Sequence, residues 1–178
     1  MSAYNVEPCN YKYRVAALER VVDGDTIDVA IDLGFDVLTK QRVRLLGIDT
    51  PESRTSDQEE KKFGLLSKKK LKEWCMKAVA SDNDDIEIEL RCPEADSRGK
   101  FGRVLAEVWV CENGIWTNVN KWMVDNYFAV PYGAENKALV QDLHISNRRM
   151  LTTLHPNDFS SELKEKYSDI RSPGLDLS

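Results

Sequence analysis

Thr26-Ile27-Asp28-Val29-Ala30-Ile31, followed beyond Gly34 by Gln41-Arg42-Val43-Arg44-Leu45, alternates apolar and polar residues with the period of two expected of strands that have one face in a core. With the Val-, Ile- and Leu-rich run that begins at Tyr13, these stretches predict three strands over residues 13–46, broken at Gly24 and Gly34. Successive side chains of a strand point to opposite faces, so Arg42 and Arg44 share one face while Val43 and Leu45 take the other. One face is core, and the other is available for a site.

Downstream, over residues 57–78, the pattern turns helical. Phe63, Ser67, Leu71, Trp74 and Ala78 fall on one stripe, the candidate caps lie at Thr55 to Asp57, and lysines such as Lys61, Lys68 and Lys72 stand mostly elsewhere, as a solvated face or, in the minority reading, as a contact to nucleic-acid phosphate. Two further strands are expected at 86–90 and 103–110, separated by the polar loop 93–102 and ending near the turn Asn113-Gly114. A short helix over 118–127 should carry Val119, Trp122, Met123 and Asn126 on one side. A long one over 134–154 should bury Leu139, Leu143, Met150 and Leu154 before Pro156 stops it. Residues 160–167 read as one or two exposed turns and 169–178 as a loose tail. The expected layout is a lead-in over 1–12, one domain over 13–155 and a C-terminal extension over 156–178. The order of elements predicts an α+β fold with five strands in a small sheet or barrel and helices packed on it, for which a five-stranded Greek-key barrel of the oligonucleotide-binding (OB) type is the natural candidate.

The 178 residues, 42% of them hydrophobic, suffice for a core without disulfides or structural metal. A formal net charge of -5 argues against coating nucleic acid by bulk electrostatics and leaves room for a local basic site. Cys9, Cys75, Cys92 and Cys111 form no Cys-x-x-Cys pair, and neither His144 nor His155 stands at zinc-finger spacing from them, so reduced and mostly buried thiols are expected. No secretory pattern opens the sequence, and no apolar run approaches the roughly 18 residues of a membrane span. An intracellular, cytoplasmic monomer that does not enter a membrane is therefore the expectation.

The chemistry-bearing residues lie in three motifs, Val22-Asp23-Gly24-Asp25-Thr26, Arg44-Leu45-Leu46-Gly47-Ile48-Asp49-Thr50-Pro51-Glu52 and Lys100-Phe101-Gly102-Arg103. Asp25 at a strand start and Asp49 at a strand end can be brought together by a barrel. Two carboxylates completed by a backbone carbonyl, such as that of Thr50, suit a hard cation. Taken singly, each residue also has a structural reading, Asp25 as a turn cap and Asp49 in the Asp-Thr-Pro bend. Glu52, behind Pro51, could orient or deprotonate a water molecule. Arg44 and Arg103 are suited to a phosphate whose oxygens gain charge during hydrolysis, because a guanidinium offers paired donors in fixed geometry.

In this order, and with a lysine-rich helix between the second and third, the three motifs resemble the staphylococcal nuclease (thermonuclease) family over residues 14–132. The resemblance implies a five-stranded OB barrel with three helices. It also implies calcium-dependent hydrolysis of DNA and RNA without strong sequence preference, leaving 3'-phosphate and 5'-hydroxyl ends. By motif, Asp25 and Asp49 correspond to the calcium carboxylates and Thr50 to a carbonyl ligand. Glu52 corresponds to the general base or water-orienting group, and Arg44 and Arg103 to the phosphate-binding arginines. Lys100 matches a contact to substrate phosphate and Tyr132 a tyrosine that stacks on a base. Phe101 stands where that family often has tyrosine. The competing function is a non-catalytic OB module that binds nucleic acid or protein. Such modules tend to lose members of the catalytic set, whereas Asp25, Arg44, Asp49, Glu52 and Arg103 are all present here. The late residues His144 and His155 are assigned neither to metal nor to catalysis.

Overall fold

The alternating run becomes β2 (Thr26–Asp32) and β3 (Leu38–Leu45), with Ile27, Val29, Val43 and Leu45 sealed from solvent on one face as the period of two requires. The structure is a computed structural model that describes residues 4–79, 86–133 and 136–168. The other strands are β1 (Tyr11–Asp23), β4 (Ile48–Asp49), β5 (Ile86–Cys92), β6 (Val104–Glu112), β7 (Ile115–Asn118) and β8 (Val130–Pro131). The helices are α1 (Gln58–Val79), α2 (Val119–Asp125), α3 (Lys137–Leu154) and α4 (Ser161–Ser168). The expected loose tail at 169–178 and the expected start of the long helix at 134 lie outside the described residues.

Strand order β3-β2-β1-β5-β6-β7 is antiparallel throughout, and the sheet closes through a parallel pairing of Val43, Arg44 and Leu45 with Val104, Leu105 and Ala106. Five strands thus form a mixed barrel of the expected OB-like kind. The sixth, β7, hangs outside it on the hairpin made by the Asn113-Gly114 turn, an addition that the sequence pattern did not suggest. Asn120 locks the closure from inside. Its carboxamide accepts from the Val108 N–H at 2.9 Å and donates to the carbonyls of Leu46 and Ala106 at 2.9 and 3.2 Å, which satisfies a fully buried polar side chain.

Helix α1 begins where Asp57 accepts from the N–H groups of Glu59 and Glu60, and it buries Phe63, Ser67 and Leu71 against the barrel. Two expectations about the C-terminal third are corrected. In α3 the buried stripe is Val140, His144, Arg148, Leu151 and Thr152, while Leu139 and Leu154 are half exposed. The face is rotated because acidic partners wait beneath it, and a paired polar side chain can be buried at that position. Residues 161–168 form helix α4 rather than exposed turns. Leu163 and Tyr167 are buried, and Phe159 stacks on Phe63 with ring centroids 4.8 Å apart, so a fourth helix packs over α1. The four cysteines are free thiols, three of them buried, as expected. Among the described residues no helix is long and apolar enough to cross a membrane.

Candidate functional site

The β1–β2 turn, the end of β3 and strand β4 converge on the Arg44 guanidinium. Antiparallel register sets Arg44 opposite Thr26, and the Leu45 N–H bonds to the Asp25 carbonyl at 2.8 Å, so the turn and the strand end cannot slide apart. Arg44 Nη1 donates to the carbonyls of Leu45 and Ile48 at 3.1 and 2.8 Å. Its Nη2 lies 3.2 Å from both Asp25 Oδ2 and Asp49 Oδ1. Asp25 is buried and also accepts from Thr26 Oγ1 at 2.9 Å and from the Thr50 N–H at 3.1 Å. Asp25, about two dozen residues earlier in the chain, thus joins Arg44, Asp49 and Thr50 in one hydrogen-bonded unit.

Glu52 reaches the same place by a different route. It sits on the loop between β4 and α1, held by the Glu52 N–H to Glu60 Oε1 and the Ser53 N–H to Asp23 Oδ1, each 3.3 Å. That loop rests directly on α1 at Gly64, where a Cβ would stand 2.4 Å from the Glu52 carbonyl oxygen. Only glycine permits the approach, and the approach sets where the Glu52 side chain starts.

Two cavities meet over this floor, one of about 890 Å³ reaching toward Lys40, Arg42 and Phe101, the other of about 660 Å³ reaching toward Lys100, Tyr132 and Lys137. Arg44, Asp49, Glu52 and Arg103 line both. Asp25 and Phe101 line only the larger, and Thr50, Lys100 and Tyr132 only the smaller. Every residue singled out from the sequence therefore lies on this double groove.

Electrostatics give the groove a direction. Burial pushes the Asp25 carboxyl above the ordinary carboxylate range, Arg44 opposes this, and the Asp49 charge adds to the rise. Glu52 is raised as well, by burial and then by the charges of Asp23, Asp25 and Asp49. At the floor Asp23, Asp25, Asp49 and Glu52 gather near Arg44, and the ligand atoms they offer are oxygens. That chemistry fits a hard divalent cation held by Asp25, Asp49 and a backbone carbonyl. Among the described residues no group of three or more His, Cys, Asp or Glu side chains forms a ready cage, so such an ion would depend on backbone and water oxygens for the rest of its shell.

Sequence reasoning missed His144. Its Nε2 lies 2.8 Å from Asp49 Oδ2, so the ring holds one carboxylate oxygen while Arg44 Nη2 holds the other. Its Nδ1 is buried without a hydrogen-bond partner. The available signal was helical spacing, because Val140, His144, Arg148 and Leu151 form an i, i+4, i+8, i+11 stripe that is half polar.

Residues 42–149 match the family model described as Staphylococcal nuclease homologue. Endonuclease YhcR of Bacillus subtilis (strain 168) is 33% identical over 120 residues, which is 65% of this chain and 9% of that protein. The Thermonuclease of Staphylococcus intermedius is 32% identical over 93 residues, 52% of this chain and 47% of that one. An uncharacterized protein of Methanocaldococcus jannaschii is 29% identical over 122 residues, 64% of this chain and 56% of that one. The chain spans less than two thirds of the length of each of these relatives.

Proposed function

The chain belongs to the staphylococcal nuclease homologue family, and from that premise we propose that it is a calcium-dependent nuclease acting as a monomer. It would hydrolyse phosphodiester bonds of DNA and RNA with little regard to sequence. The observation that carries this reading is the single cluster in which Arg44 Nη2 stands 3.2 Å from both Asp25 and Asp49, with Glu52 and Arg103 lining the same groove.

Asp25, Asp49 and the Thr50 carbonyl would hold the calcium ion. Bound there, it would polarise the phosphate oxygens and make its water more acidic. Glu52 takes a proton from the attacking water at its carboxylate, or fixes that water's direction, and its raised affinity for a proton suits the task. Arg44, held by two carbonyls and two carboxylates, is preorganised to meet a phosphate oxygen as charge builds on it. Arg103 is less buried. It would meet the leaving oxygen, which the family resemblance makes the 5' oxygen, so that the products would carry 3'-phosphate and 5'-hydroxyl ends. Lys100 contacts a neighbouring phosphate, and the exposed ring of Tyr132 stacks on a base, which tolerates any sequence.

Incubating the purified protein with single-stranded DNA, with calcium and then with chelator, tests the reading once product ends are analysed. Calcium-dependent cleavage leaving 3'-phosphates is the expected result. Binding without cleavage would make the chain a nucleic-acid-binding module instead.

A further inference from the structure

Phe101 is the groove residue for which the fold has no use. Its ring is 93% exposed, so it contributes nothing to the core. Its backbone lies at φ +62°, in the left-handed region that bulky side chains avoid. The Arg103 guanidinium stands over the ring, 5.9 Å from its centroid. Phenylalanine has no hydrogen-bonding group, so to a polynucleotide it offers only its aromatic face or edge.

The two cavities divide the exposed aromatic rings between them. Phe101 lines the larger and Tyr132 the smaller, while Arg44, Asp49, Glu52 and Arg103 are common to both. The cavities join over the common residues, so a strand whose phosphate sits there has one exposed ring in each cavity to meet.

Building on the nuclease reading above, we propose that Phe101 is the platform of a second base-binding subsite. It stacks the nucleobase that lies across the scissile phosphate from the base at Tyr132. The ligand class is an unpaired nucleobase of a single strand. A base in a duplex has both faces covered by its neighbours and cannot reach either ring, so the pair of rings selects single-stranded or melted nucleic acid. The subsite carries no base-edge donors of its own in Phe101, so it discriminates strandedness rather than sequence.

The test compares kcat and KM of the full-length protein on single-stranded oligodeoxyadenylate and on a strand of equal length made of abasic residues. Phe101→Ala should lower kcat/KM on the base-bearing strand about tenfold, through KM more than kcat, and by less than about twofold on the abasic strand. Phe101→Tyr and Phe101→Trp should restore the loss, and Phe101→Leu should not, because a ring face rather than apolar bulk is required. The melting midpoint of each variant guards against a folding artefact, which the exposure of the ring makes easy to recognise. Equal losses on the two strands, no loss on either, or full rescue by leucine would each overturn the second subsite while leaving the nuclease reading in place. Wild-type protein that neither binds nor cuts either strand would overturn the nuclease reading itself, and the subsite with it.

Discussion

Glu52 and Glu59 flank the start of one helix and have opposite electrostatic fates. Glu59 turns toward α3 and α4, where Arg148 Nη1 lies at 3.0 Å, Lys166 Nζ at 2.7 Å and the Tyr167 hydroxyl donates to it. Burial works to raise its carboxyl, but the hydrogen bonds from Lys166 and Tyr167 and the nearby cations hold it below the ordinary value. Glu52 turns toward the groove, among Asp23, Asp25 and Asp49, and is raised. The same residue type is thus held ionised by cations where it ties helices together and raised, by burial first and then by neighbouring carboxylates, where it faces the groove. An unbalanced cluster of this kind has to be useful to be worth its destabilisation, whereas a balanced one needs no function beyond cohesion.

The sign of each contribution follows. A carboxyl with raised folded pKa stabilises fully below its unfolded pKa and loses that contribution as pH rises through the folded value. Glu52 therefore works against the fold at neutral pH. A carboxyl with lowered pKa contributes above its unfolded pKa and loses that contribution as pH falls through the folded value, so Glu59 supports the fold at neutral pH.

The contrast breaks most visibly at Glu52. Glu52→Gln should lower cleavage about a thousandfold while the melting midpoint at neutral pH holds or rises. A variant that cuts normally would remove Glu52 from the chemistry, and a large fall in midpoint would place it with Glu59 instead.

A smaller loss, about a hundredfold in kcat/KM, is expected for Gly64→Ala, since its Cβ would have to displace a carbonyl oxygen 2.4 Å away and carry Glu52 with it. Steady-state kinetics beside a melting curve would separate this from unfolding, because alanine by itself favours the helix. Normal turnover would show that the loop yields without moving the carboxylate.

The smallest effect on activity belongs to Glu59→Gln. Turnover below the melting midpoint should stay within about twofold of wild type, while urea unfolding at neutral pH shows a loss of about 2 kcal/mol. That loss should shrink as pH falls through the folded pKa of Glu59, where the wild type has already given up the same interaction. A loss that persists at low pH would mean that packing, not charge, holds α4 in place.

Legibility in the sequence followed the range of the interactions involved. The strands of the barrel and helix α1 could be read because alternation and helical stripes are local records of which side faces the core, and Ile27, Val43, Phe63 and Leu71 are buried accordingly. Helix α3 misled the same reasoning. Counting apolar residues selected Leu139 and Leu154, which are half exposed, over His144 and Arg148, which are buried because Asp49 and Glu59 meet them there. Strand β7 escaped notice because its four residues pair only at the edge of β6, and α4 because its burial depends on Phe63 and Glu59 about a hundred residues earlier.

By itself, then, the sequence determined the residue types of the site and the faces on which Arg44, Val43 and their neighbours stand, since both follow from local order and a strand's period. Only the tertiary structure decided that Asp25, Arg44 and Asp49 form one unit, that His144 holds Asp49, and that Phe101 and Tyr132 line different cavities over a shared floor. The first arises from the β2–β3 register and the run of β3 into β4, the second from the rotation of α3, and the third from the parallel closure of β3 on β6. Closure and rotation are settled by contacts between residues far apart in the chain, which no local pattern records.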